Sequence, residues 1–208
     1  MSGRYMAYVG SYSYTGKAKG ITVFDVDVEK GTFKERCEME VNNSSYVIAS
    51  SDGKTLYSIA DEGVVSFRIL QNGALARLNS APIRGMRGCH LCSDLEDKFI
   101  FVSGYHDGKT TILSLNKDGS VGGIVDGVYD KGYGSVAERN FRPHVTCTRR
   151  MPDNKYVLSV DNGVDQVKIY RFNDKEQKMV QVDAIRCDLE SAPRHFRFSR
   201  DGRFLYLM

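Results

Sequence analysis

The chain has 208 residues, of which 41% are hydrophobic and 26% charged, and carries a formal net charge of +3. Such a composition suits a globular chain; the basic residues alternate with acidic ones and form no run beyond Arg149-Arg150, which argues against a nucleic-acid surface. No stretch approaches the roughly 18 apolar residues of a membrane span, residues 1–10 hold no apolar signal core, and five cysteines, an odd number, fit a reducing cytoplasm better than a disulfide framework.

Short runs rich in Val, Ile, Phe and Tyr, separated by Gly, Asn or Asp, predict antiparallel strands and little helix. Residues 7–11, 21–28 and 32–41 read as three strands. A four-strand plan follows at 46–50, 56–59, 64–70 and 76–83. It recurs at 89–93, 99–105, 110–115 and 123–129, and again at 145–148, 156–160, 166–172 and 179–185. Residues 195–208 begin it once more. Four units open on a ring-bearing residue, Tyr46, His90, His144 and His195, and turn at a polar corner that ends in Lys54, Lys98, Lys155 or Arg203. The corner residues are 44, 57 and 48 positions apart, and steps of that size with several strands each signal a β-propeller.

The expected fold is therefore all-β, a propeller of four-stranded antiparallel blades. One domain over residues 1–208 is expected, with blades near 7–41, 46–83, 89–130, 144–187 and 195–208. The first blade starts one strand late, the offset by which propellers close, and open edges predict self-association. A propeller sets equivalent residues of successive blades around one channel. Tyr46, His90, His144 and His195 are accordingly expected as four points of a ring.

Several motifs narrow the reading: Tyr8-Val9-Gly10-Ser11-Tyr12, Gly88-Cys89-His90-Leu91, Arg142-Pro143-His144-Val145, Asp161-Asn162-Gly163-Val164-Asp165-Gln166-Val167 and Ala192-Pro193-Arg194-His195-Phe196. With them the chain resembles the lactonase family of seven-bladed propellers, which includes 6-phosphogluconolactonases of propeller type and carboxymuconate-lactonizing (cyclase) enzymes. The resemblance implies that about four and a half of seven blades are present, as an N-terminal fragment. It implies no cofactor, and a channel site of one His, two Arg and one Glu. Residue by residue, the His falls on His144 and the first Arg on Arg194; the Glu is expected just past Met208 and the second Arg in a later blade. The implied activity is hydrolysis of an anionic sugar lactone such as 6-phosphogluconolactone. A carboxymuconate cyclase and a non-catalytic binding scaffold stand as alternatives.

Lactone hydrolysis needs a base for water, a stabiliser for the oxyanion and a grip on the substrate's anionic group. His144 suits the acid–base role. Arg194 suits the grip, because a guanidinium binds carboxylate or phosphate through two parallel N–H groups. Arg142 and His195, adjacent in the motifs, and His90 and Tyr46, at the equivalent ring positions, are expected to bind substrate. The expected partner is a small anionic lactone or carboxylate, with neither nucleic acid nor membrane. His106, in Tyr105-His106-Asp107-Gly108, reads as a solvated hairpin tip. Positions 89 and 92 of Cys89-His90-Leu91-Cys92 face opposite sides of a strand, so no metal is expected there. Asp161–Asp165 reads as a hairpin turn, because it lacks the spacing and final Glu of a calcium loop.

Overall fold

The computed structural model describes residues 5–134 and 141–208 as seventeen strands, with no helix among the described residues. The first sheet holds β1 (Tyr5–Gly10), β2 (Gly20–Asp27) and β3 (Thr32–Glu40). The second holds β4 (Val47–Ala49), β5 (Thr55–Ala60), β6 (Gly63–Ile69) and β7 (Leu75–Ala81). The third holds β8 (His90–Ser93), β9 (Phe99–Gly104), β10 (Lys109–Leu115) and β11 (Val121–Tyr129). The fourth holds β12 (Val145–Arg150), β13 (Tyr156–Asp161), β14 (Gln166–Asn173) and β15 (Lys178–Arg186), and β16 (Phe196–Phe198) pairs with β17 (Leu205–Leu207). Every pair joins chain neighbours in antiparallel register. These are the blades of a partial propeller, as the repeat predicts.

The core lies between blades. Ile21 and Val23 of β2 pack with Leu56, Val65 and Phe67 of the second sheet. Tyr57 and Ile59 meet Leu91, Ile100 and Val102 of the third. Phe99, Phe101 and Ile112 meet Val157, Tyr170 and Phe172 of the fourth, and Leu158 and Val167 meet Phe196 of the last. Blades on both sides bury all six positions of β5 and of β9. That is why Phe99-Ile100-Phe101-Val102 is a continuous apolar run rather than an alternating one. The outer strands β3 and β15 face water and carry Lys, Glu and Arg. The two outermost strands of the first four sheets share one irregularity: register shifts at Val23/Phe24, Ser66/Phe67, Ile112/Leu113 and Ile169/Tyr170, each leaving one extra residue on the outer strand. Such bulges add twist, and nothing in the apolar pattern announces them.

The polar corners are also one structure repeated. Gly53, Asp97, Asn154 and Gly202, each just before the basic residue, are all left-handed, with φ between 49° and 71°. The N–H of Ser50, Asp94, Met151 and Ser199 donates across each corner to Thr55, Phe99, Tyr156 and Phe204. Counting back from this fixed corner corrects the expected ring. Tyr46, His90 and His195 stand eight residues before Lys54, Lys98 and Arg203, and the residue eight before Lys155 is Cys147, not His144. Pairing agrees: Tyr46 O accepts from Ile59 N, His90 pairs with Ser103, Cys147 with Val160, and His195 O accepts from Met208 N. His144 lies eleven residues before its corner, the place that Arg87 holds one blade earlier. A second shift, between Val145 and Cys147, bulges Thr146 out of β12.

A buried ionic cluster joins the third and fourth blades. Lys168 Nζ, 1% exposed, lies 3.2 Å from Asp161 Oδ2 and 3.2 Å from Asp130 Oδ2, and donates to the Lys131 carbonyl at 2.9 Å. The Tyr170 hydroxyl donates to the other oxygen of Asp130. Burial, against the pull of Lys168, raises the Asp130 carboxyl to about 7.

Two outcomes follow from one cation serving two carboxylates. Lys168→Met strands both acids in the interior and is expected to cost about 3–5 kcal/mol in urea denaturation; a loss under about 1 kcal/mol would show that the cluster is dispensable. Because the Asp130 pKa is raised on folding, its contribution is full below the unfolded value near 3.8 and is lost as pH rises to about 7. Relative to Asp130→Asn, the parent should lose up to about 1.4 kcal/mol per pH unit across that window. Parallel pH–stability curves for the two proteins would refute this protonation.

Candidate active site

The hairpin between β13 and β14 builds the site. Asp161 Oδ1 accepts the N–H of His144 at 2.8 Å and of Gly163 at 3.0 Å. Asp165 accepts the N–H of Glu190 and of Ala192, both at 2.8 Å, and Asn162 Nδ2 donates to the Ala192 carbonyl at 3.0 Å. The segment read as a turn thus grips two strand-entry loops, one carrying His144 and the other Arg194. Gly163 is required sterically: a Cβ there would lie 1.8 Å from the Arg142 carbonyl oxygen and 2.8 Å from His144 Cδ2.

Above the hairpin, at the ends of the innermost strands, lies a cavity of ≈390 Å³. Its basic side chains are Arg87, His106, Arg194 and His195, with no Asp or Glu among the lining residues. The two arginines differ. Arg87 is committed, with NH1 2.9 Å from Asp61 Oδ1 and its guanidinium 4.9 Å above the Tyr12 ring. Arg194 is anchored through its backbone, its N–H donating to Met208 O at 2.7 Å and its carbonyl accepting from Thr146 Oγ1 at 2.7 Å. Among the described residues nothing accepts from its guanidinium, which leaves a positive fork for a ligand.

His144 is buried in the wall behind Tyr105. The two rings stack at 4.4 Å, and His144 Nδ1 lies 2.7 Å from the Tyr105 carbonyl oxygen. A carbonyl accepts only, so Nδ1 carries the proton and Nε2 is the basic nitrogen. His195 lines the cavity itself. Burial first, then Arg194, Arg149 and Arg197, hold its pKa below the ordinary imidazole value. His90 is wholly buried below, its ring 4.7 Å from Tyr46 and 5.9 Å from His195. Burial, with Arg149 and His195 adding to it, pushes the His90 pKa down to about 2.

Of the expected site residues, the cavity therefore gathers Arg194 and His195 and keeps His144 behind one of its walls. Tyr46 and His90 form a layer beneath it. Arg142 is exposed, with its guanidinium over the Phe141 ring at 5.6 Å, and is not among the lining residues. His106 is exposed in the turn between β9 and β10, as expected, and also packs edge-on against Tyr105 and lines the cavity. Arg87 was not singled out in sequence, although it stands where His144 stands in the next blade.

The model of the seven-bladed β-propeller lactonases matches residues 6–208. The chain belongs to the lactonase family. It is 30% identical to the 6-phosphogluconolactonase of Bacillus subtilis, over 99% of this chain and 59% of that protein. A 6-phosphogluconolactonase of Formosa agariphila is 29% identical, over 96% and 60%. Among solved structures, a Bacteroides fragilis protein is 33% identical with a TM-score of 0.89, covering 98% of this chain and 60% of that one. The periplasmic gluconolactonase of Pseudomonas aeruginosa is 25% identical with a TM-score of 0.90, covering 98% and 60%. This lactonase chain thus spans about three fifths of the length of these relatives. No helix among its described residues is long and apolar enough to cross a membrane.

Gly163→Ala tests the hairpin's grip. Its methyl group would press on backbone rather than on a flexible side chain, so the 142–144 loop must shift. The expected cost is about 1–3 kcal/mol, read by urea denaturation. A variant within about 0.5 kcal/mol of the parent would show that the close approach carries no constraint.

Proposed function

We propose that the protein hydrolyses an anionic sugar lactone of the 6-phosphogluconolactone type. The observation that carries this reading is the Arg194 guanidinium, unpaired among the described residues, in a cavity lined by no carboxylate. Such a site favours an anion and has nothing of like charge to repel one. The names of the Bacillus and Formosa relatives support the same substrate class.

In the proposed mechanism Arg194 holds the substrate's anionic group. His144, fixed through Nδ1 by the Tyr105 carbonyl and set behind Tyr105, takes the attacking water's proton on Nε2 through one intervening water. Water oxygen bonds to the acyl carbon, the ring C–O bond breaks, and the proton passes to the departing ring oxygen. The products are a hydroxyl group and a carboxylic acid, which releases its remaining proton to solvent as the carboxylate. His195 and Arg87 complete the wall around the substrate. Five free cysteines suit a cytoplasmic setting.

The test is hydrolysis of 6-phosphogluconolactone by the complete gene product, corrected for the spontaneous reaction. Arg194→Ala should lower kcat/KM by about 100- to 1000-fold, and His144→Ala should lower kcat by at least about 100-fold. Parent rates in both variants would remove the assignment. A larger loss in His195→Ala than in His144→Ala would move the base to His195. Turnover of a carboxymuconate without lactone hydrolysis would make the protein a cyclase, and turnover of neither would make it a binding scaffold.

A further inference from the structure

Beneath the cavity the ring eight residues before the corners brings together three metal-ligating side chains from three successive blades. They are His90 of β8, Cys147 of β12 and His195 just before β16. One ligand atom from each lies within 4.8 Å of the other two. His90 Nε2 is 3.5 Å from Cys147 Sγ. A tetrahedral zinc ion, with bonds of about 2.3 Å to sulfur and 2.0–2.1 Å to nitrogen, sets sulfur and nitrogen about 3.5 Å apart. We propose that His90, Cys147 and His195 form a binding site for one soft transition-metal ion, zinc(II) or copper(I), on the channel axis below the lactone cavity.

Three observations carry the proposal. The first is convergence: neither histidine is near Cys147 in sequence, and the repeat's register places all three at one level. The second is the state of His90. An imidazole kept for packing uses both ring nitrogens. His90 is 0% exposed, yet its Nδ1 has no hydrogen-bond partner among the described residues. Its Nε2 has only the thiol of Cys147, itself wholly buried. The third is access. His195 belongs to the cluster and also to the cavity wall, so an ion and a fourth ligand can enter from the cavity.

The donor set selects the ion. Two imidazoles and a thiolate suit zinc or copper(I), and the absence of a carboxylate from the cluster disfavours calcium and magnesium. Binding displaces the Cys147 proton to solvent and leaves a net charge of +1 for zinc, or zero for copper(I). The tetrapeptide Cys89-His90-Leu91-Cys92 is not the site. Cys89 Sγ turns away to the Val145 carbonyl at 3.4 Å and Cys92 Sγ to the Ser93 carbonyl at 3.1 Å. The proposal does not depend on the lactonase reading.

The chain itself, freed of metal by a chelator, is titrated with zinc and then with cobalt(II). One equivalent of zinc should bind and raise the thermal midpoint. His90→Ala, Cys147→Ser and His195→Ala should each weaken binding at least about 100-fold, while His106→Ala should not. Bound cobalt(II) should show a thiolate-to-metal charge-transfer band, a readout on the parent that needs no variant to fold. The proposal is overturned if the parent binds no zinc, if the three variants bind it as the parent does, or if bound cobalt shows no thiolate band.

Discussion

The carboxylate of Asp161 does three jobs at once. One oxygen accepts from the backbone of His144 and of Gly163, and the other faces the ammonium of Lys168. Lys168 reaches on to Asp130 and the Lys131 carbonyl, past the end of β11. Through one buried side chain the third blade, the fourth blade and the loop that carries His144 share a fixed geometry. Removing charges from water costs several kcal/mol per ion, and the Lys131 carbonyl, the Tyr170 hydroxyl and the N–H groups of His144 and Gly163 offset part of that cost. A hydrophobic cluster of the same volume would pack as well and would place nothing. Four residues later Asp165 applies the same device to the loop that carries Arg194.

The blades divide their labour by distance from the axis. Away from it they meet through aliphatic and aromatic side chains, with Phe172 edge-on to both Phe99 and Phe101. Nearer the axis they meet through hydroxyls: Thr148 lies within 3.0–3.3 Å of Ser103, Thr110 and Ser159. At the axis stand histidines, a thiol and arginines. The apolar layer supplies stability through buried area. The polar inner layer sets the register of one blade on the next, and so the height at which each channel side chain stands.

Much of this was legible in the sequence. The corners at Lys54, Lys98, Lys155 and Arg203 gave the blades, and the apolar runs gave second strands enclosed on both faces. The motif around Arg194 led to the cavity. The ring was misread at its third member, because His144 looks like the counterpart of His90 and His195. The steps from corner to corner, 44, 57 and 48, already required Cys147. Spacing from the corner, not residue type, decides which side chain enters the ring. The role of Asp161 and Asp165 could not be read, since an aspartate that closes a turn and one that grips a distant loop have the same local sequence. The place of His106 in the cavity wall depends on how blades are set side by side, which the periodicity within a strand does not carry.

The shared corner also makes the chain a record of what one turn tolerates. In the second and fifth blades a serine hydroxyl, Ser50 or Ser199, accepts from Thr55 or Phe204, and an aspartate, Asp52 or Asp201, accepts from the basic residue. In the third blade a single carboxylate, Asp94, accepts both N–H groups. In the fourth, Asp153 still accepts from Lys155, but Met151 offers no hydroxyl, and Arg150 reaches round and donates to the Asn154 carbonyl. The four corners share the backbone path and differ in the groups that close it. Each blade is in this sense a homologue of the others, and a substitution proven in one corner has three ready addresses elsewhere in the same molecule.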